Sequence, residues 1–308
     1  MCANVVTGEG EAAGFVSAVA DELSAVLGFR PYPGTLNVDE LPGLEALSAE
    51  TLTDSPFSNE HCDGVVVRPC SVGGVRAAVL RPLVPDYPEG KIELIAPVRL
   101  RALFDLADGD SVPVSPPGEV WHPDGPAVDV AGLDEFDAVV FDLDGTLVEL
   151  DVAWPEVHEQ VVEILEDVMD GPLSDYTRPE IMGLAREVER YEQLDALLTE
   201  YETDGAETSP ALGLLETLPE LDCPIGVCTA NAPSAAESAL EAHGVREHVD
   251  VIVARGTIPE EKPHPRPLRE CLAGLGVTPG NAVFVGDERS DAETAVSAAS
   301  SFLHVEQF

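Results

Sequence analysis

Between Val112 and Asp134 the sequence VPVSPPGEVWHPDGPAVDVAGLD breaks every hydrophobic period around it, and its Pro and Gly content marks a linker. A chain of 308 residues with 44% hydrophobic content can bury more than one core, so the break predicts two folded units. Their boundaries fall at 1–115 and 135–308, with 116–134 between them. Before the break, short apolar runs (Gly64 to Val67, Val75 to Leu80, Ile92 to Ala96) alternate with Gly/Pro turns, and one helix is expected from about Ala18 to Leu27. That pattern predicts a small, mostly β barrel. After it, apolar strands (Ala138 to Phe141, Ile225 to Cys228, Val249 to Val253, Ala282 to Val285) alternate with helical segments, which predicts an α/β fold with a parallel sheet. Ligands of such sheets bind beyond the carboxyl ends of the strands. Residues 150–219 interrupt the alternation with helical patterns, Val157 to Met169 and Pro179 to Leu198, placed where a cap could cover a site.

Charge narrows the partners. The chain carries 58 acidic and 16 basic residues, a formal charge of -42, and its only lysines are Lys91 and Lys262. Such a surface repels nucleic acid, so small molecules are the expected partners. The acids are interspersed with apolar residues rather than gathered in a tail, as in a folded chain. High acid with low lysine and aromatic content resembles cytosolic proteins of salt-accumulating haloarchaea. At molar salt the Debye length is only roughly 3 Å, which screens the self-repulsion. We therefore expect the melting temperature to rise by on the order of 10 °C between 0.1 M and 3 M KCl, at roughly 3 °C per kcal/mol for domains of this size. Calorimetry across a KCl series checks this; a flat response contradicts it. No apolar run reaches the roughly 18 residues of a membrane span and no secretion signal opens the chain, so the expected location is a high-salt cytoplasm. The six cysteines show no metal-ligand spacing and are expected to be buried thiols.

Four polar motifs close the strands of the second unit. Phe141-Asp142-Leu143-Asp144-Gly145-Thr146 ends the apolar run AVVF, setting two carboxylates two residues apart at a strand end. Thr229, with Ala230 and Asn231, ends IGVC; a hydroxyl and backbone N–H groups there suit phosphate oxygens. Lys262 is the one lysine of this unit, at a position where a compact ammonium serves and arginine does not. Asp287 follows the strand Ala282 to Val285 and would complete an oxygen-rich site of the kind Mg2+ prefers, with Asp291 as a helper through water or Lys262.

In this order the four motifs resemble the haloacid dehalogenase-like superfamily across 135–308. The resemblance implies Asp142 as nucleophile and Asp144 as general acid, then base. It implies Thr229 and Lys262 as phosphate binders, and Mg2+ held by Asp142, Asp144 (through its backbone carbonyl) and Asp287, with Asp291 as helper. An acid two residues after the nucleophile fits an alkoxide leaving group, hence a phosphatase or mutase rather than a dehalogenase. The cap segment contains no lysine, as a phosphonatase would need. In the cap, Arg186 and Arg190 are expected on one helix face just after Arg178, with Trp154 and Tyr191 available to stack on a ring.

The first unit carries Gly8-Glu9-Gly10-Glu11, then Leu27-Gly28-Phe29-Arg30-Pro31-Tyr32-Pro33-Gly34-Thr35-Leu36-Asn37, then Ile92-Glu93-Leu94-Ile95-Ala96-Pro97-Val98-Arg99-Leu100-Arg101 and Asp108-Gly109-Asp110. This series resembles the archaeal CTP-dependent riboflavin kinases. It implies Mg2+ on Thr35 and Asn37, and riboflavin on Glu93. It implies CTP along Glu9, Gly10, Glu11, Ala12, Ala13, Gly14 and along Val98, Arg99, Leu100, Arg101. Ala12 and Ala13 replace a glycine and a basic residue of the family, and Pro85 stands where a threonine is common. Two readings stay open. In one, the chain is bifunctional, making FMN from riboflavin and CTP and hydrolysing a phosphomonoester, with a phosphate of the riboflavin pathway as one candidate substrate. In the other, a catalytically inactive flavin- or nucleotide-binding barrel regulates a phosphatase acting on phosphoglycolate or FMN.

Overall fold

The computed structural model describes the chain except residues 9–11, 42, 55, 59–61, 86, 89 and 119–124. Its first unit holds β1 (Cys2–Val5), α1 (Ala12–Ala18), α2 (Ala20–Leu27), β2 (Leu36–Asp39), β3 (Glu50–Leu52), β4 (Val65–Val72), β5 (Val75–Pro82), β6 (Lys91–Ile95), α3 (Leu100–Leu103) and β7 (Ser111–Ser115). Strands β4-β5-β6-β2-β1-β7 are antiparallel neighbours, and β7 also pairs with β4, which closes a six-stranded barrel; β3 adds to the outside of β4. Closure leaves no barrel edge to aggregate. The β4–β5 hairpin turns on Gly73 and Gly74, both at positive φ, as a tight two-residue turn demands. Helix α1 lies where the sequence predicts no separate helix, because its run of small residues carries little apolar period.

The first residues of the Pro/Gly-rich stretch belong to the barrel. Val112 and Val114 are fully buried in β7, and only beyond Ser115 does the chain leave the barrel. Among its described residues, Val128 and Leu133 are buried and share one apolar cluster with β7 and with Val139 and Phe141 of the next unit.

That unit comprises β8 (Ala138–Phe141), α4 (Trp154–Leu165), α5 (Arg178–Glu187), α6 (Tyr191–Ala206), β9 (Ile225–Cys228), α7 (Pro233–Ala242), β10 (Val251–Val253), α8 (Arg266–Leu275), β11 (Ala282–Gly286), α9 (Arg289–Ala298) and β12 (Ser301–His304). The sheet order is β10-β9-β8-β11-β12, all parallel. Both faces are covered, so the strands read as unbroken apolar runs. Val139 and Phe141 join α7 on one face, while Ala138 and Val140 meet α8 and α9 on the other. Strand β12 escapes the sequence pattern because it is short and polar at both ends, yet it is wholly buried. It also meets the barrel: Phe302 N–H donates to Gly74 O at 3.1 Å, and Arg76 N–H donates to Ser301 Oγ at 3.1 Å.

In the cap, the helix expected over Pro179 to Leu198 is two helices. Glu189 takes a left-handed φ of 59° and the chain turns at Val188–Arg190, without the glycine or proline that would have advertised it. Cys70, Cys228 and Cys271 are buried as expected, whereas Cys2 is exposed and Cys62 and Cys223 are half-buried. Among the described residues no helix is long and apolar enough to cross a membrane.

Candidate active sites

Adjacent parallel strands β9, β8 and β11 end side by side, and this alone gathers residues far apart in sequence. Asp142 follows β8 and is 6% exposed; Asp287 follows β11; Thr229 follows β9. Lys262 comes in from the loop after β10, its Nζ 2.8 Å from Asp142 Oδ1 and 2.6 Å from Asp291 Oδ1. Carboxylate oxygens of Asp142, Asp287 and Asp291 all lie within 4.8 Å of one another. Burial and the neighbouring Asp142 charge push Asp287 above the usual carboxylate range. Burial would pull the Lys262 ammonium down, but Asp142 and Asp291 more than offset it and hold it protonated. Three acids around one ammonium leave a negative excess in a closed space, and the donors are hard oxygens. The residues therefore fit a Mg2+ ion. Gly145, at φ 79°, is needed here, since a Cβ would collide with the Asp287 carboxylate.

Asp144 stands apart from the three acids. Its Oδ1 accepts Leu150 N–H at 2.8 Å, and burial, against that hydrogen bond, pushes its carboxyl up to about 6. A cavity of about 520 Å³ is lined by Asp142, Asp144, Ala230, Asn231 and Lys262. Thr229 is not on that wall: its hydroxyl donates to Asn231 Oδ1 at 2.7 Å and accepts Asn231 N–H at 3.1 Å, shaping the loop from behind.

Sequence reasoning missed what holds that loop. Glu202 on α6 is fully buried and accepts Ala232 N–H at 2.8 Å and both its oxygens meet Arg255 Nη1, at 2.9 and 2.7 Å. The fully buried Arg255 side chain also reaches Asp195 Oδ1 at 2.6 Å and Thr199 Oγ1 at 3.1 Å. Asp195, Thr199 and Glu202 are spaced as one helix face. Scarcity could have flagged Arg255 as it flagged Lys262, since basic residues are few here; Glu202 is hidden by the acids around it.

The barrel has its own cavity, about 250 Å³, lined by Gly8, Ala13, Thr35, Asn37 and Val98 to Arg101. Residues distant in sequence thus converge on one cavity, and Glu9, Gly10 and Glu11 lie outside the described residues. Ala12 and Gly14 are on α1 beside Ala13. Asn37 is buried, and its Oδ1 has no hydrogen-bond partner, an orphaned acceptor that suits a cation. Glu93, cross-strand from Asn37 and 5% exposed, pairs with Lys91 at 3.5 Å rather than lining this cavity. Arg101 lines the cavity with its guanidinium already engaged: its Nη2 donates to Asp108 Oδ1 at 2.6 Å and to Val6 O at 2.9 Å, and Nη1 donates to Leu106 O. Arg99 is the exposed cation at the rim.

A family model described as haloacid dehalogenase-like hydrolase matches residues 139–305, more than half of the chain. The chain belongs to that family. Its barrel matches, over residues 5–115, the model of a CTP-dependent riboflavin kinase domain described as "Domain of unknown function DUF120". A riboflavin kinase of Methanocella arvoryzae is 39% identical over 119 residues, 37% of this chain and 56% of its own. One of Aeropyrum pernix is 34% identical over 116 residues, 35% of this chain and 88% of its own. A phosphoglycolate phosphatase of Rhodospirillum rubrum is 31% identical over 185 residues, 52% of this chain and 76% of its own. The chain spans about half the length of the first of these relatives.

In the cap of this haloacid dehalogenase-like hydrolase, the expected arginine face does not form. Arg190 sits between α5 and α6 and binds Asp167 and Ile164 O, closing the cap on itself. Arg186 lies over the Tyr191 ring at 4.3 Å and pairs with Glu261 beside Lys262. Arg178 opens α5, lines the catalytic cavity and donates through Nη2 to Glu202 and to Ala230 O.

Proposed function

We propose that the chain hydrolyses a phosphomonoester at the parallel sheet and phosphorylates riboflavin with CTP at the barrel. The observation that carries the first activity is the convergence of Asp142, Asp287, Asp291 and Lys262 at the strand ends, with Asp144 beside them. Asp142 Oδ attacks phosphorus, an O–P bond forms, and the ester O–P bond breaks as Asp144 gives its proton to the departing alkoxide. Asp144 then takes a proton from water, whose oxygen attacks the aspartyl-phosphate and returns Asp142 as a carboxylate with release of phosphate. Lys262 balances charge on Asp142 and on the transferred group. Asp142, Asp287 and the Asp144 carbonyl would hold Mg2+, which when bound neutralises the anions that must approach each other. Thr229 acts through its loop, whose backbone N–H groups are the phosphate donors.

At the barrel, Thr35 and Asn37 would hold Mg2+, while residues 98–101 and 9–14 receive CTP. The relatives named riboflavin kinase support this reading, as does the orphaned Asn37 acceptor. Positioning and charge neutralisation are sufficient for such a transfer. Both reactions belong in a high-salt cytosol on the strength of the acidic composition.

The test is to follow FMN formation in molar KCl with Mg2+, riboflavin and CTP. Wild type forms FMN, and Asn37→Leu loses about 100-fold or more of that rate while keeping its fold, since the amide oxygen it removes has no protein partner. Ala12, Ala13 and the committed Arg101 favour one second reading, a barrel that binds without turnover. Riboflavin binding without FMN formation would select it.

A further inference from the structure

Beside the catalytic cavity, and sharing Asp144, Arg178 and Glu288 with it, lies a cleft of about 930 Å³ between α4, α5 and α6. Its position is set by the alkoxide side of the reaction, because Asp144 is the group that protonates the leaving oxygen. Resting on the hydrolase reading above, we propose that this cleft is the leaving-group subsite, built for a neutral alcohol bearing a ring system rather than for a small anionic one.

Three features point there. The floor is apolar: Val157, Val161, Leu194 and Leu198 are all buried in the cap yet line the cleft. Trp154 and Tyr176 stand at its walls, flat surfaces on which a ring can lie. A volume of this size holds a ring-bearing ligand and leaves a two-carbon group mostly surrounded by empty space.

Charge excludes the other class. Glu159, Glu163 and Glu288 line the cleft and are exposed, and Asp144 closes its inner end. Among the described lining residues the one arginine or lysine is Arg178. It belongs to a set in which two arginines, Arg178 and Arg255, face two carboxylates, Glu202 and Asp195. No cationic charge is left over for a carboxylate on the leaving group. Such a group would share the cleft with the carboxylates of Glu159, Glu163 and Glu288, and like-charge apposition is strongly discriminating.

Phosphate release measured in molar KCl with Mg2+ on three probes separates the possibilities. FMN has a neutral leaving group with a ring, glycerol 1-phosphate a neutral small one, and phosphoglycolate an anionic small one. Wild type is expected to rank them in that order by kcat/KM, with FMN about tenfold or more above phosphoglycolate. Glu159→Lys with Glu163→Lys, both exposed and free to be changed without touching the core, should collapse the FMN to phosphoglycolate ratio by about tenfold. Val162→Trp, which fills the cleft from its exposed side, should lower the FMN to glycerol 1-phosphate ratio by a similar factor. Phosphoglycolate preferred over FMN, or ratios unmoved by both variants, would overturn the subsite while leaving the hydrolase intact. No release from any of the three would instead strike the hydrolase reading itself.

Discussion

Asp142→Asn removes phosphate release by about 1,000-fold or more and leaves FMN formation at the barrel in place. Loss of a nucleophile stops the covalent route, and what survives comes from binding and charge stabilisation alone. The amide keeps the shape of the carboxylate, so packing at this 6% exposed position is undisturbed. Stability should hold or rise slightly. Asp142 shares its space with Asp287 and Asp291, and one of three crowded charges disappears while Lys262 keeps Asp291 at 2.6 Å. Purified wild type and variant are compared by phosphate release, by FMN formation with CTP, and by melting in high KCl. Residual hydrolysis near the wild-type rate would remove Asp142 from its role. Loss of FMN formation together with hydrolysis would mean that the two sites do not work independently.

Most of the catalytic arrangement was readable because it is encoded at strand ends. A four-residue apolar run that closes on an acid fixes where the acid goes once the sheet is parallel, and β8 and β9 form at the residues the sequence predicts. Lys262 was readable by scarcity. The barrel was readable from its turns and from a resemblance carried by the long motif Leu27 to Asn37, which is described throughout, whereas Glu9, Gly10 and Glu11 of the shorter motif lie outside the described residues. What could not be read depends on contacts with no local signature. The turn at Glu189 uses a left-handed residue that is not glycine, and it moves Arg190 away from the site. Arg101 looks like a triphosphate ligand in sequence, but Asp108 and two carbonyls claim it in space. Thr229 faces its own loop rather than the cavity, which periodicity cannot tell. In a chain with 58 acidic residues, one buried glutamate has nothing to set it apart.

That glutamate carries the second large effect. Glu202→Ala is expected to cost about 3–5 kcal/mol, the usual consequence of stranding a buried charge. Arg255 is wholly buried and would keep Asp195 but lose both Glu202 oxygens, while Ala232 N–H and the Arg178 guanidinium would lose their acceptor as well. Calorimetry should show the melting temperature fall by on the order of 10 °C, at roughly 3 °C per kcal/mol. Glu202→Met combined with Arg255→Met should recover much of it, because removing both charges leaves neither one unpaired. Stability and catalysis then separate. The double variant restores folding but not the hydrogen bond that ties α6 to Ala232, so the loop carrying Thr229 and Asn231 loses its brace from the cap. Inhibition by inorganic phosphate, which reads that loop directly, should weaken by about tenfold in the double variant even where melting is repaired. An unchanged inhibition constant would make the pair a fastener of the cap alone. A weakened one would make it the means by which the cap sets the geometry of phosphate binding.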